Sequence, residues 1–254
     1  MNSTERFTDR VDDYAKYRPH YPQAAFEVIR ARVGDPKTSS IADIGSGTGI
    51  STKPLLEMGF EVFAVEPNVA MRAAAEQELS IYPRFNSAAA TAEKTTLEDK
   101  SVDAALAAQA FHWFNRAAVR DEFQRILKPG GWVALMWNDR DAVETPLARD
   151  YEQLLEIFGS DYDQVKLRGQ AASQRGSLTS FFSPDSYEVM TFNSHQDLDF
   201  VAFRGRVLSA SYIPKPPHPQ FARLLDELGR MFAEHQAGGK VRIDYETKLY
   251  LGQL

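Results

Sequence analysis

SIADIGSGTGISTKPLLEM, residues 40–58, is the stretch whose reading decides the fold class. SIADI (40–44) is an apolar run of strand length, and GSGTG (45–49) breaks it with three glycines at alternate positions. STKPLLEM then reads as a helix that starts near Ile50 and is closed by Gly59. Strand, glycine turn and helix in immediate succession form the opening unit of a parallel crossover.

The pattern repeats outward. EVFAVE (61–66) is a second β-rich run, NVAMRAAAEQEL (68–79) an Ala-rich helix, and Phe85 to Ala90 a weaker third strand. SVDAALAA (101–108) predicts a fourth strand and residues 115–127 a helix, after which KPGG (128–131) turns the chain into a fifth strand, WVALMW (132–137). Strands alternating with helices imply right-handed crossovers and an α/β, doubly wound, mostly parallel Rossmann-like sheet with helices on both faces. Beyond it, 142–159 reads as a helix, YEVMTFN (187–193) as a strand and 197–211 as a helix. IPKPPHP (213–219), with four prolines in seven residues, is a stiff connector to a helix at 219–236. KVRIDYETKLYLG (240–252) is a closing strand, expected at the sheet edge. The chain thus divides into an N-terminal lid arm (1–21), a ligand-binding core (22–140), a cap insertion (141–186) and a segment that completes the sheet while adding helices to the cap (187–254).

Composition narrows the function. A chain of 254 residues, 43% hydrophobic and 25% charged, has the make-up of a globular protein able to bury a core. Lys and Arg number 29 against 35 Asp and Glu, a net charge of −6 that argues against nucleic acid as partner. Without cysteine there is no disulfide framework, thiol nucleophile or zinc–thiolate site. No apolar run approaches the roughly 20 residues of a membrane span. The opening MNSTERFTDRVDDY does not follow the order of a secretory signal, so a cytoplasmic protein, monomer or homodimer, is expected.

In open parallel sheets the ligand lies beyond the carboxyl ends of the strands, and the loop after the first strand is its floor. Gly45, Gly47 and Gly49 occupy that loop, where missing Cβ atoms let backbone approach a ligand; plain turn chemistry is the competing reading. The spacing is G-x-G-x-G, with Ile at 50, so it is neither the dinucleotide fingerprint G-x-G-x-x-G nor the phosphate loop with its Lys. A pyrophosphate is therefore disfavoured. Asp43 is suited to a ligand ammonium and Glu66, at the end of the second strand, to both hydroxyls of a ribose. A nucleoside carrying an amino acid fits both, and S-adenosylmethionine is such a ligand.

IADIGSGTGI (41–50), AVEPN (64–68), TAE (91–93) and LKPGGWVALMW (127–137) resemble, in order, four motifs of the class I S-adenosylmethionine-dependent methyltransferases. AQAFHWF (108–114) and FTDRVDDYAKYRPHYP (7–22) are similar to the trans-aconitate methyltransferase-like, small-molecule branch. The resemblance implies a seven-stranded sheet whose last strand is antiparallel. It also implies S-adenosylmethionine as cofactor and S-adenosylhomocysteine as product. By the same resemblance Asp43, Gly45 and Gly47 meet the methionine end, with Ser46 in the same loop, and Glu66 meets the ribose, followed by Pro67. Asn68 and Met71 surround the adenosine, Ala92 and Glu93 the adenine edge, and Gln109 and Ala110 lie under the methionine.

Methyl transfer from a sulfonium is an in-line displacement that alignment and water exclusion largely promote, and it needs no metal. The histidines at 20, 112, 195, 218 and 235 show no paired ligand spacing. His112, directly after the fourth strand, is a candidate proton acceptor or anion contact; alternatively it and Trp113 only shape the pocket. The cluster Tyr14, Tyr17, Arg18, His20 and Tyr21 is too aromatic for an idle tail and too polar for a core helix, so Tyr14 and Arg18 are expected over the cofactor. An arm packed on the sheet edge is the alternative. Arg140, leaving the fifth strand beside Trp137 and Asn138, is a candidate for a substrate carboxylate, or else a partner in a surface ion pair. Arg204 and Arg206, near Ser209 and Tyr212, are open to the same role. The expected activity is O-methylation of a small carboxylic acid. An NAD(P)-dependent oxidoreductase and a non-catalytic nucleotide-binding regulator are the competing classes.

Overall fold

A computed structural model describes residues 6–140, 144–184 and 186–254. Its sheet contains β1 (Ser40–Ile44), β2 (Glu61–Val65), β3 (Phe85–Ala88), β4 (Val102–Ala108), β5 (Leu127–Asp139), β6 (Tyr187–Leu198) and β7 (Val241–Gly252) in the order β3-β2-β1-β4-β5-β7-β6. The pairings from β3 across to β5 are parallel, and β7 is antiparallel to both β5 and β6. Strand order reverses between β1 and β4, the point at which such sheets open a ligand crevice.

Three expectations are corrected here. The closing strand does not take the edge. β7 slots between β5 and β6, pairing Val133–Asp139 on one side and all of β6 on the other, and β6 becomes the edge. The burial explains the choice: Val241, Ile243, Tyr245, Leu249 and Leu251 of β7 are buried, whereas side chains of β6 alternate between half-buried and exposed as far as Leu198. The helix expected from residue 197 starts later, because Asp197 and Leu198 remain paired with Arg242 and Val241 and Asp199 caps α9 (Phe200–Leu208) by accepting from the Ala202 amide. KPGG also differs from a simple turn, since it lies within β5, where the register against β4 shifts between Val102 and Ala104.

Helices cover both faces. α2 (Gln23–Val33), α3 (Thr52–Glu57) and α4 (Val69–Leu79) bury Phe26, Ile29, Leu55, Leu56 and Leu79 against one face. α5 (Arg116–Ile126) and α8 (Arg175–Phe182) bury Val119, Phe123, Phe181 and Phe182 against the other, so the end of the expected cap insertion belongs to the core. A third cluster joins α6 (Pro146–Phe158), α9 and α10 (Phe221–His235). In α10 Leu224, Leu228 and Met231 follow helical spacing into that cluster, each buried apolar side chain contributing about 1.5–3 kcal/mol. α7 (Tyr162–Ser173) bridges this cap to the core. Residues 141–143 and 185 of the expected cap, and 1–5 of the arm, lie outside the described residues.

The arm carries α1 (Val11–Tyr17), which buries no side chain of its own and is held by polar ties to the cap. Arg6 forms a two-pronged ion pair with Asp161, and Arg10 donates to the carbonyls of Leu208, Ala210 and Ile213. The third contact is steric: a Cβ on Gly205 of α9 would lie 2.1 Å from the Tyr17 ring, so only glycine permits this approach of α1 to α9.

Candidate active site

Among the described residues one large cavity, about 410 Å³, opens over the carboxyl ends of β1, β2, β4 and β5 and beneath α1, α7 and the end of α9. That size is in the range of small-molecule sites. Tyr14, Arg18, Gly45, Ser46, Gly47, Glu66, Pro67, Asn68, Met71, Ala92, Glu93, Gln109, Ala110, His112, Trp113 and Arg140 all line it. Asp43 does not line the cavity. It stands behind the glycine loop, fully buried, and its Oδ2 accepts from the hydroxyls of Ser51 and Thr52 at 2.7 Å each, which fixes the start of α3. Burial pushes its carboxyl up to about 6.

The loop is shaped by close approach. Gly45 has φ +71°, and a Cβ there would lie 2.7 Å from the Ala110 Cβ; Gly47 has φ +59°. Glu66 braces the loop: its Oε2 accepts the Gly47 amide at 2.9 Å and its Oε1 the Asn68 amide at 2.8 Å. Asn68 in turn caps α4, accepting from Ala70 and Met71. Burial raises the Glu66 carboxyl above its ordinary range. Gln109 holds a left-handed backbone, φ 52°, at the end of β4 and donates from its side chain to the Asn138 carbonyl. Glu93 accepts the Asn115 amide, and Ala92 is buried beside it.

The residues fit the implied cofactor on one observation. Ser46 Oγ, in the glycine loop and on the cavity wall, is buried without a hydrogen-bond partner among the described residues, which native interiors seldom tolerate unless a ligand or water supplies one. His112 Nδ1 and Trp137 Nε1 are in the same condition further along the cavity. Burial, then the charges of Arg168 and Arg6, lower His112 to about 4, so its imidazole is neutral at physiological pH. Both guanidiniums also lie over the Trp113 ring, at 5.7 and 5.1 Å from its centroid.

Arg140 reaches the cavity already engaged. Its Nη2 pairs with Glu152 Oε2 at 2.7 Å and its guanidinium lies 4.4 Å from the Tyr151 ring centroid. Glu152 also accepts from Tyr162 and Lys166, so it ties β5, α6 and α7 together. Arg206 and Arg204 separate: Arg206 is 6% exposed and lines the cavity, while Arg204 faces outward. Sequence reasoning missed Tyr162, Val165, Lys166, Gly169, Gln170 and Ser173, which line the cavity from α7. Their signal was present as one helical stripe, three and four residues apart. Tyr245, Lys248 and Tyr250 of β7 were missed because that strand was expected at the edge.

Comparison with known proteins agrees with this geometry. The family model described as methyltransferase domain matches residues 42–135. An uncharacterized methyltransferase of Mycobacterium tuberculosis is 32% identical over 235 residues, covering 91% of this chain and 87% of that protein. A methyltransferase-like protein of Schizosaccharomyces pombe is 35% identical over 259 residues, covering 96% and 93%. Among solved structures, a candidate type II methyltransferase from Anaeromyxobacter dehalogenans shares the fold at TM-score 0.66 and 23% identity, covering 93% of this chain and 98% of that one. The family settles the choice between enzyme classes against the nicotinamide oxidoreductase. With its glycine loop, acidic second-strand turn and β3-β2-β1-β4-β5-β7-β6 sheet, the chain belongs to the class I S-adenosylmethionine-dependent methyltransferases.

Proposed function

We propose that the protein methylates a carboxylate oxygen of a small organic acid. The observation that carries this reading is the character of the chamber: cationic side chains line it in a chain of net charge −6, and its imidazole is a weak base. A carboxylate is already ionised at pH 7 and needs alignment and charge pairing, whereas a hydroxyl or ammonium acceptor needs a proton removed. His112, lowered to about 4, is poorly matched to that second task and well matched to accepting a hydrogen bond.

In this reading Glu66 takes the ribose hydroxyls with its remaining lone pairs, and Gly45, Ser46 and Gly47 receive the methionine end. Met71, Ala92 and Glu93 surround the base, and Tyr14 closes over the sulfonium, a contact worth roughly 0.5–2 kcal/mol. When bound, the cofactor would supply an electrophilic methyl carbon, and because the acceptor carboxylate is already ionised the chain would have no proton to remove from it. The chain's part is to hold the acceptor oxygen about 3–3.5 Å from that carbon and to exclude water, for which the arm and α7 form the roof.

The experiment is a screen of small acids with methyl-labelled cofactor, followed by mild alkali. Release of label as volatile methanol is the expected result, since esters hydrolyse and N-methyl and C-methyl groups do not. A base-stable product would overturn the ester reading, and cofactor binding without turnover across the screen would favour a regulator.

A further inference from the structure

Five cationic side chains line the cavity: Arg18, Arg140, Lys166, Arg206 and Lys248. Arg140 and Lys166 share Glu152, and Lys248 faces Asp139 and Glu246. Arg18 and Arg206 differ from these, for neither has a carboxylate within ion-pair distance among the described residues. Arg18 donates to the Ser209 carbonyl and lies 4.8 Å from the Tyr14 ring centroid. Arg206 uses only its Nε, which donates to the Tyr245 hydroxyl at 3.2 Å; its terminal N–H groups have no acceptor among the described residues. Both line the same cavity.

Buried charge without a counter-ion is costly, so two such guanidiniums in one cavity call for two anionic groups. The cofactor brings one carboxylate. Arg18, carried on the arm at the cavity wall and 4.8 Å from the Tyr14 ring centroid, is the cation expected over the cofactor and is assigned to that carboxylate. Arg206, whose guanidinium carbon lies 6.0 Å from the Tyr245 ring centroid, is left over. We propose that Arg206 is the receptor for an oxyanionic group of the methyl acceptor, a carboxylate or a phosphate ester, held through its terminal N–H groups. The inference rests on the methyltransferase reading with a small acidic acceptor, and it moves the anion-binding role from Arg140 to Arg206.

A relay positions this side chain. Tyr245 Oη accepts from Arg206 and donates to Gln196 Oε1 at 2.9 Å, and Gln196 Nε2 donates to the Tyr17 carbonyl at 3.2 Å, at the end of α1. The arm, the edge strand and the receptor are therefore one hydrogen-bonded unit, and Tyr245 and Gln196 are positioning residues.

The test titrates citrate and, separately, inorganic phosphate into protein saturated with S-adenosylhomocysteine, at ionic strength held constant with sodium chloride. The wild-type protein is expected to bind at least one probe with 1:1 stoichiometry, the better probe showing whether carboxylate or phosphate is preferred. Arg206→Gln should weaken that probe at least tenfold while S-adenosylhomocysteine affinity stays within threefold. Arg206→Lys, which keeps the charge, should recover part of the loss, and equal melting temperatures would show both variants folded. Three results would overturn the proposal: no probe bound by the wild type, a probe bound equally by Arg206→Gln, or loss of S-adenosylhomocysteine as large as that caused by Arg18→Gln. Failure of the ester reading is separately visible, because a base-stable methyl product from an anionic acceptor whose KM rises in Arg206→Gln refutes the ester and leaves the receptor standing.

Discussion

Replacing Gly205 by alanine tests whether α1 is a lid or a packing arm. The new Cβ would lie 2.1, 2.2 and 2.9 Å from Cδ2, Cε2 and Cγ of Tyr17, well inside contact distance, so the ring must withdraw by more than an ångström. Tyr17 ends α1 and precedes Arg18, and the displacement passes directly to that guanidinium. Overpacking costs about 1–3 kcal/mol, while alanine is favoured over glycine in a helix by about 1 kcal/mol. The residual of up to about 2 kcal/mol falls on the docking of α1, which buries no side chain, and not on the sheet. The circular-dichroism melt of the sheet should therefore move by only a few degrees. Cofactor affinity should fall further, because a charge-assisted hydrogen bond from Arg18 is worth about 1.5–3 kcal/mol, roughly 10- to 150-fold in Kd. Calorimetry with S-adenosylhomocysteine measures the loss, and faster tryptic cleavage after Arg10 and Lys16 reports the undocking. Deleting residues 1–21 is the limiting case and should leave a folded sheet with the same or greater loss. A Kd within threefold of wild type in Gly205→Ala, with the arm shown to be undocked, would refute the lid and leave α1 as packing.

Two further outcomes follow from the same geometry. Glu66→Ala should weaken S-adenosylhomocysteine by about 1.5–3 kcal/mol, since it removes ribose acceptors and releases the Gly47 and Asn68 amides; an unchanged calorimetric Kd would place Glu66 outside the site. His112 has a folded pKa of about 4 against an ordinary 6.5, so the unfolded chain binds its proton first, and the neutral form's stability is complete above pH 6.5 and is lost as pH falls toward 4. His112→Gln should remove up to about 3 kcal/mol of that acid-side slope in denaturant titrations at pH 7 and pH 4.5; parallel curves for variant and wild type would show the imidazole to be solvated.

What the sequence by itself determined is everything carried by neighbours in the chain. SIADI followed by GSGTG and a helix specifies the first crossover, because strand length, left-handed glycine geometry and helical periodicity are local properties. Gly45, Gly47 and Glu66 of the cavity wall were legible for the same reason, standing just beyond the carboxyl ends of readable strands, while Asn68, Ala92 and Gln109 were expected through the family resemblance. The tertiary structure alone decided which cations are free to meet a ligand. Arg140 and Arg206 are chemically identical in sequence, yet α6 brings Glu152 to one and the packing of α9 on β7 brings only a tyrosine hydroxyl to the other. The place of β7 inside the sheet was equally hidden, since alternation along the strand shows one apolar face, Val241, Ile243, Tyr245, Leu249 and Leu251, but not which strands will flank it. Gln196 meets Tyr17 across 179 positions of sequence, and no local rule reaches that far: such contacts exist because cores close-pack and buried polar groups must find partners.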